Sequence, residues 1–135
     1  MNVNQHTIMA ERITRSLAKC GPNDCEMKIE AAMLAGTHWL NAALHGLGAT
    51  ETNADVFHTY LLTINEFRRL SVADATLMQA LAEIEDLRPP FVRGNWPGAQ
   101  EAAARALDLM QIIRAKAQAN GRSHGVAWKR VRRCS

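Results

Sequence analysis

Residues 24–48, DCEMKIEAAMLAGTHWLNAALHGLG, decide the fold. They form the longest apolar run of the chain, and no Asp, Glu, Lys or Arg lies between Glu30 and Glu51. At 3.6 residues per turn, one helix face carries Cys25, Ile29, Ala32, Met33, Gly36, Leu40, Ala43, Leu44 and Leu47. The opposite face carries Met27, Glu30, Ala31, Leu34, His38, Asn41 and His45. A surface helix would place charges there. This one places Met and Leu, interrupted by one carboxylate, two imidazoles and one amide. Both faces are therefore expected to be covered, which makes residues 24–47 the central helix of a bundle. Glu30, His38, Asn41 and His45 then form a polar line inside the protein or at a subunit interface. Each must find a partner, because an unpartnered buried polar group costs roughly 1–3 kcal/mol.

Three uses of that line follow from its spacing. His38–Asn41 and Asn41–His45 are i,i+3 and i,i+4 neighbours, so a hydrogen-bonded chain along one helix is sterically easy. A small-molecule pocket would use Glu30, His38, Asn41 and His45. Metal binding is harder. His38 and His45 are two turns apart, on the order of 10 Å along the axis, whereas zinc needs nitrogens about 2 Å from one ion. Carboxylate-bridged bundles use Glu-x-x-His pairs on facing helices, and none occurs here. The nearest pattern is Asp55-x-x-His58, so a metal set would join His38 or His45 to Asp55 and His58.

Moving outward from this helix, the chain reads as all-α. It has 135 residues, 47% hydrophobic and only 5% aromatic, which suits one helical domain. Helix one is expected over residues 4–19, with a weak stripe of Ile8, Ile13 and Leu17, and Gly21-Pro22 stops it. A third helix is expected from about Ala54 to Leu70, capped by Thr52 or Asn53 and packed through Val56, Phe57, Tyr60, Ile64 and Phe67. Ser71-Val72-Ala73-Asp74 resembles a capping box and opens a fourth helix to about Asp86. Leu77, Leu81 and Ile84 form its seam, while Glu83, Glu85 and Asp86 are expected to face out. Pro89 ends it. Residues 88–98, RPPFVRGNWPG, form an irregular connection pinned by Phe91 and Trp96. Its Arg88 and Arg93 could clamp a carboxylate or phosphate, or bond nearby carbonyls. A fifth helix runs from about Gly98 to Ala119, with a Glu101–Arg105 pair at i,i+4. Together these predict an up-and-down bundle of four to five helices.

Charge divides the chain at residue 121. Residues 1–121 hold 11 Lys/Arg and 13 Asp/Glu, whereas residues 122–135 are purely basic, with Arg122, Lys129, Arg130, Arg132 and Arg133. The expected domains are a helical bundle over 1–121 and a basic tail over 122–135. The tail could touch nucleic-acid phosphates, but it carries one Trp and no recognition module, so nucleic acid is not the expected partner. No apolar run has the length of a membrane span, and the N-terminus lacks a signal-peptide pattern. Three cysteines, Cys20, Cys25 and Cys134, make a poor disulfide framework. A cytoplasmic protein is expected.

No phosphate loop, nucleophile elbow, His-Glu-x-x-His or EF-hand spacing occurs. The leading expectation is a non-enzymatic protein that acts by association as a homodimer and needs no cofactor. The alternatives are a ligand- or metal-binding bundle using the polar line, and nucleic-acid binding through the tail.

Overall fold

A computed structural model describes the backbone of residues 1–134 and the side chains of residues 1–120. The side chains of Arg122, Lys129, Arg130, Arg132, Arg133 and Cys134 lie outside the described residues. The architecture is an all-α bundle of five helices: α1 Val3–Leu17, α2 Cys25–Gly46, α3 Ile64–Ala73, α4 Ala75–Asp86 and α5 Ala99–Cys134. Among the described residues there is no strand, and no helix is long and apolar enough to cross a membrane.

The central role of α2 follows from its composition. With no charge over its last four turns, it buries Ile29, Ala32, Leu40, Ala43 and Leu44 completely, and it packs against α1, α4 and α5. Gly36 permits the closest approach. A Cβ there would lie 3.4 Å from the Ile113 Cδ1 of α5 and 3.6 Å from the Ile84 Cδ1 of α4. Three helices meet at that point around Leu77, Leu81, Ala106 and Met110. Coverage is complete only toward the C-terminal half of α2, where Trp39 through Leu44 are all buried. Met27 and Leu34 are exposed, so the second face is not covered along its whole length.

Local chemistry sets the helix ends. The Asn2 side chain accepts from the Gln5 amide at 2.8 Å, and the Gln5 side chain accepts from the Asn2 amide at 2.9 Å, a reciprocal cap on α1. Helix α2 ends where Gly48 takes φ 73° and the Ala49 amide bonds back to the Leu44 carbonyl at 2.9 Å. Thr63 caps α3 and Asp74 caps α4, each accepting from the amide three residues on at 3.1 Å.

Several expected boundaries move, and one cause recurs: tertiary partners capture the backbone. The third helix begins at Ile64 instead of Ala54. Asn41, buried in α2, accepts from the Val56 amide through Oδ1 at 2.7 Å and donates to the Val56 carbonyl through Nδ2 at 2.7 Å. Groups taken in this way cannot serve an i→i+4 ladder, so residues 54–58 stay irregular and are followed by a short 3-10 turn, Thr59–Leu61. Phe57, Tyr60 and Ile64 are exposed in consequence, against the expected packing. Ser71–Ala73 closes α3, and Asp74 alone opens α4. Glu85 is buried instead of facing out. Its place was visible as the continuation of Met78 and Leu81 at i+7 and i+4 on the seam. Residues 89–93 form one π-helical turn after α4. Trp96 is exposed, with its ring edge-on to Phe91 at 6.5 Å. Arg105 pairs with Glu83 across to α4 and not with Glu101. The α5 backbone continues through Asn120-Gly121, a pair that weakens a helix by roughly 1 kcal/mol without obliging it to stop.

Candidate functional site

The site is built where α1, the C-terminal half of α2 and the segment after α2 converge. Its members are His6, His38, His45, Thr50 and Asp55. His6 Nε2 lies 2.9 Å and His45 Nε2 lies 2.8 Å from the same oxygen, Asp55 Oδ1. The remaining ring nitrogens are also held. His6 Nδ1 meets His38 Nδ1 at 2.9 Å, and His45 Nδ1 meets Thr50 Oγ1 at 2.6 Å. The Met1 ammonium donates to the Thr52 carbonyl at 2.7 Å and reaches Asp55 Oδ2 at 3.2 Å. The His6 and His45 imidazoles are almost fully buried, at 3% and 1% side-chain exposure, and Asp55 keeps 17%.

Three features of the sequence place these groups. His6 stands one turn before Ala10, on the line His6, Ala10, Ile13, Leu17 that faces α2. His45 sits in the last turn of α2, and the Gly48 reversal brings Thr50 back onto its ring. Asn41 clamps Val56 and thereby fixes the neighbouring Asp55.

Electrostatics assign the protons. Burial on its own would raise the Asp55 carboxyl. Hydrogen bonds from His6, His45 and the terminal ammonium outweigh it and bring the group down from 3.8 to about 2. An ionised carboxylate only accepts, so both Nε2 atoms carry the protons given to Asp55. Burial pushes the His6 imidazole below its ordinary 6.5, against the opposing pull of Asp55. Neutral His6 then offers a lone pair at Nδ1, and His38 Nδ1–H donates into it. Burial, with His6 close by, likewise lowers His38.

The sequence-derived candidates are redistributed. His45 and Asp55 come together as the metal expectation had them, and His38 stands behind His6 instead of beside the carboxylate. His58 leaves this set and donates from Nδ1 to Glu85 at 2.9 Å. The expected single polar line is broken into parts: Asn41 is a backbone clamp, and Glu30 accepts from Arg88 Nε at 2.7 Å, a pairing that raises the Arg88 pKa. Arg93 is exposed. The expected stripe Ile8, Ile13, Leu17 does not point to His6, because Ile8 is exposed and lies off the face that meets α2. Extending the Ile13–Leu17 spacing backward by helical steps would have reached Ala10 and His6.

The three groups His6, His45 and Asp55 offer one ligand atom each, all within 4.8 Å of one another. An open cleft of about 470 Å³ reaches Asp55, lined also by Thr50, Glu66 and Arg69 among others. No protein-family model, curated protein or solved structure matches the chain.

Proposed function

We propose that this protein is a metal-binding helical bundle in which His6, His45 and Asp55 hold one divalent transition-metal ion. The observation that carries the reading is the convergence of two imidazole Nε2 atoms and one carboxylate oxygen from three separate segments, with both Nδ1 atoms already occupied by His38 and Thr50. Metal-bound histidines characteristically have the second ring nitrogen held in this way. Two nitrogens and one carboxylate suit zinc or iron(II), and three protein ligands leave a coordination position open. Nitrogen and oxygen ligands of a tetrahedral ion bound at about 2.0–2.2 Å stand about 3.4 Å apart. The observed contacts of 2.8 and 2.9 Å are therefore hydrogen bonds that a metal would open slightly, each ring proton passing from Nε2 to Nδ1, where His38 and Thr50 can accept it. Asp55 is the most accessible ligand and lines the cleft, which supplies the entry path.

Titration of metal-free protein with Zn²⁺ and Co²⁺ tests this. One equivalent should bind, with cobalt giving the visible absorption of a nitrogen- and oxygen-ligated site. His45→Ala or Asp55→Asn should abolish binding. Full binding by both variants would refute the assignment.

A second reading, association as a homodimer, is supported by the exposure of Phe57, Leu61 and Ile64 within eight residues. Sedimentation of the wild type beside a Phe57→Ser/Leu61→Ser/Ile64→Ser variant tests it. A wild type that remains monomeric at high concentration would rule it out.

A further inference from the structure

Glu85, in the last turn of α4, is a carboxylate with 2% side-chain exposure that pairs with no Lys or Arg among the described residues. Instead it accepts from the Thr59 amide at 3.1 Å, from the Thr59 hydroxyl, and from His58 Nδ1 at 2.9 Å. Donation from Nδ1 leaves the lone pair of the neutral ring on Nε2, which has no partner among the described residues. The ring is part-exposed and stacks on Tyr60, with centroids 4.7 Å apart and planes 12° from parallel. Tyr60 is open to solvent, and its phenol, after Glu30 to which the guanidinium is bonded, raises the Arg88 pKa. A buried carboxylate thus fixes the tautomer of an accessible imidazole, with a hydroxyl donor and a cation beside it. This is the base-and-orienter relation of hydrolytic sites.

We propose that His58, Tyr60 and Arg88 form a second, metal-independent site for small carboxylic esters, with His58 as general base and Glu85 as its positioning residue. His58 Nε2 takes a proton from water as the water oxygen bonds to the ester carbonyl carbon. The carbonyl π pair moves onto its oxygen, where Tyr60 and Arg88 supply a donor and a positive charge. Collapse of this adduct breaks the bond to the alkoxy oxygen, which leaves with the proton returned by Nε2. The products are a carboxylic acid and an alcohol, and no other reactant is consumed.

The test is hydrolysis of p-nitrophenyl acetate by the full chain in the presence of a chelator, so that it stands apart from the metal site. Wild type should exceed the His58→Gln variant at least tenfold. Glu85→Gln should lose at least tenfold and shift the acidic limb of the pH–rate profile to lower pH, because Glu85 is the only carboxylate bonded to the His58 ring among the described residues, while Tyr60 and Arg88 are retained. A His58→Gln variant as active as wild type would overturn the site. An unshifted profile in folded Glu85→Gln would overturn the role of Glu85. Should Glu85→Gln not fold, the His58→Gln comparison decides alone.

Discussion

At the scale of single residues, the behaviour of the cluster turns on one carboxylate shared by two imidazoles. His38 touches no ligand atom of the set but holds His6 Nδ1, so His38→Ala should weaken zinc binding about 10–100-fold without abolishing it, whereas His58→Ala should leave the affinity unchanged. A neutral ring that binds zinc through Nε2 keeps its one proton by moving it to Nδ1, so isothermal titration at about pH 7.5 in buffers of different ionisation enthalpy should count fewer than two protons released per zinc. The pKa directions also predict how the metal-free protein responds to pH. Folded His6 and His38 titrate below 6.5, so as pH falls the unfolded chain binds protons first. The stability contributed by the neutral rings is complete above 6.5 and declines below it. Asp55 behaves as a depressed acid: its contribution is present above 3.8 and is lost as pH falls through about 2. The urea midpoint should therefore drop between pH 7.5 and 5.5, before any carboxylate in the site titrates. A flat midpoint over that range, or an equal drop in a His6→Gln/His38→Gln variant, would contradict this account.

At the scale of elements, the decisive contact is the Asn41 clamp on Val56, which converts an expected helix into an extended strap carrying Asp55 to one side and His58 to the other. Asn41→Leu keeps the size and helix propensity of the residue but strands the Val56 amide and carbonyl. It should cost about 2–5 kcal/mol in urea unfolding and weaken zinc binding together with stability. A variant of unchanged stability would show that the strap is held elsewhere. Gly36 makes the opposite case. The 3.4–3.7 Å spacing around its missing Cβ is ordinary contact, so Gly36→Ala should be neutral or stabilise by up to about 1 kcal/mol through helix propensity. A loss above that size would mean that the three-helix crossing has no room. Helix identity was legible in the 3.6-residue spacing. The start of α3 was not, because Val56 is withdrawn from the helical ladder by an amide fifteen residues earlier.

At the scale of the whole molecule, the site joins α1 to α2 and to the strap beyond it, so a bound ion would act as a cross-link between segments 6, 45 and 55. Zinc at 100 times its dissociation constant should stabilise the protein by about 2.7 kcal/mol, which for a chain of this size is roughly 10 °C in melting temperature. Amide exchange should slow chiefly in α1. Removal of the metal with a chelator should reverse both effects. A melting temperature indifferent to zinc would leave the cluster as a structural hydrogen-bond network.

By itself the sequence determined the all-α class, the place of residues 24–47 at the centre and the Leu77, Leu81 and Ile84 seam of α4, because each of these follows from residue spacing along one helix. It also marked His45 and Asp55 as candidates. Tertiary structure alone decided that His6 completes the set, that His38 stands behind it, and that His58 belongs with Glu85. Those pairings join residues 26 to 49 positions apart. Which buried polar group answers which depends on how the helices dock, and no local periodicity records that.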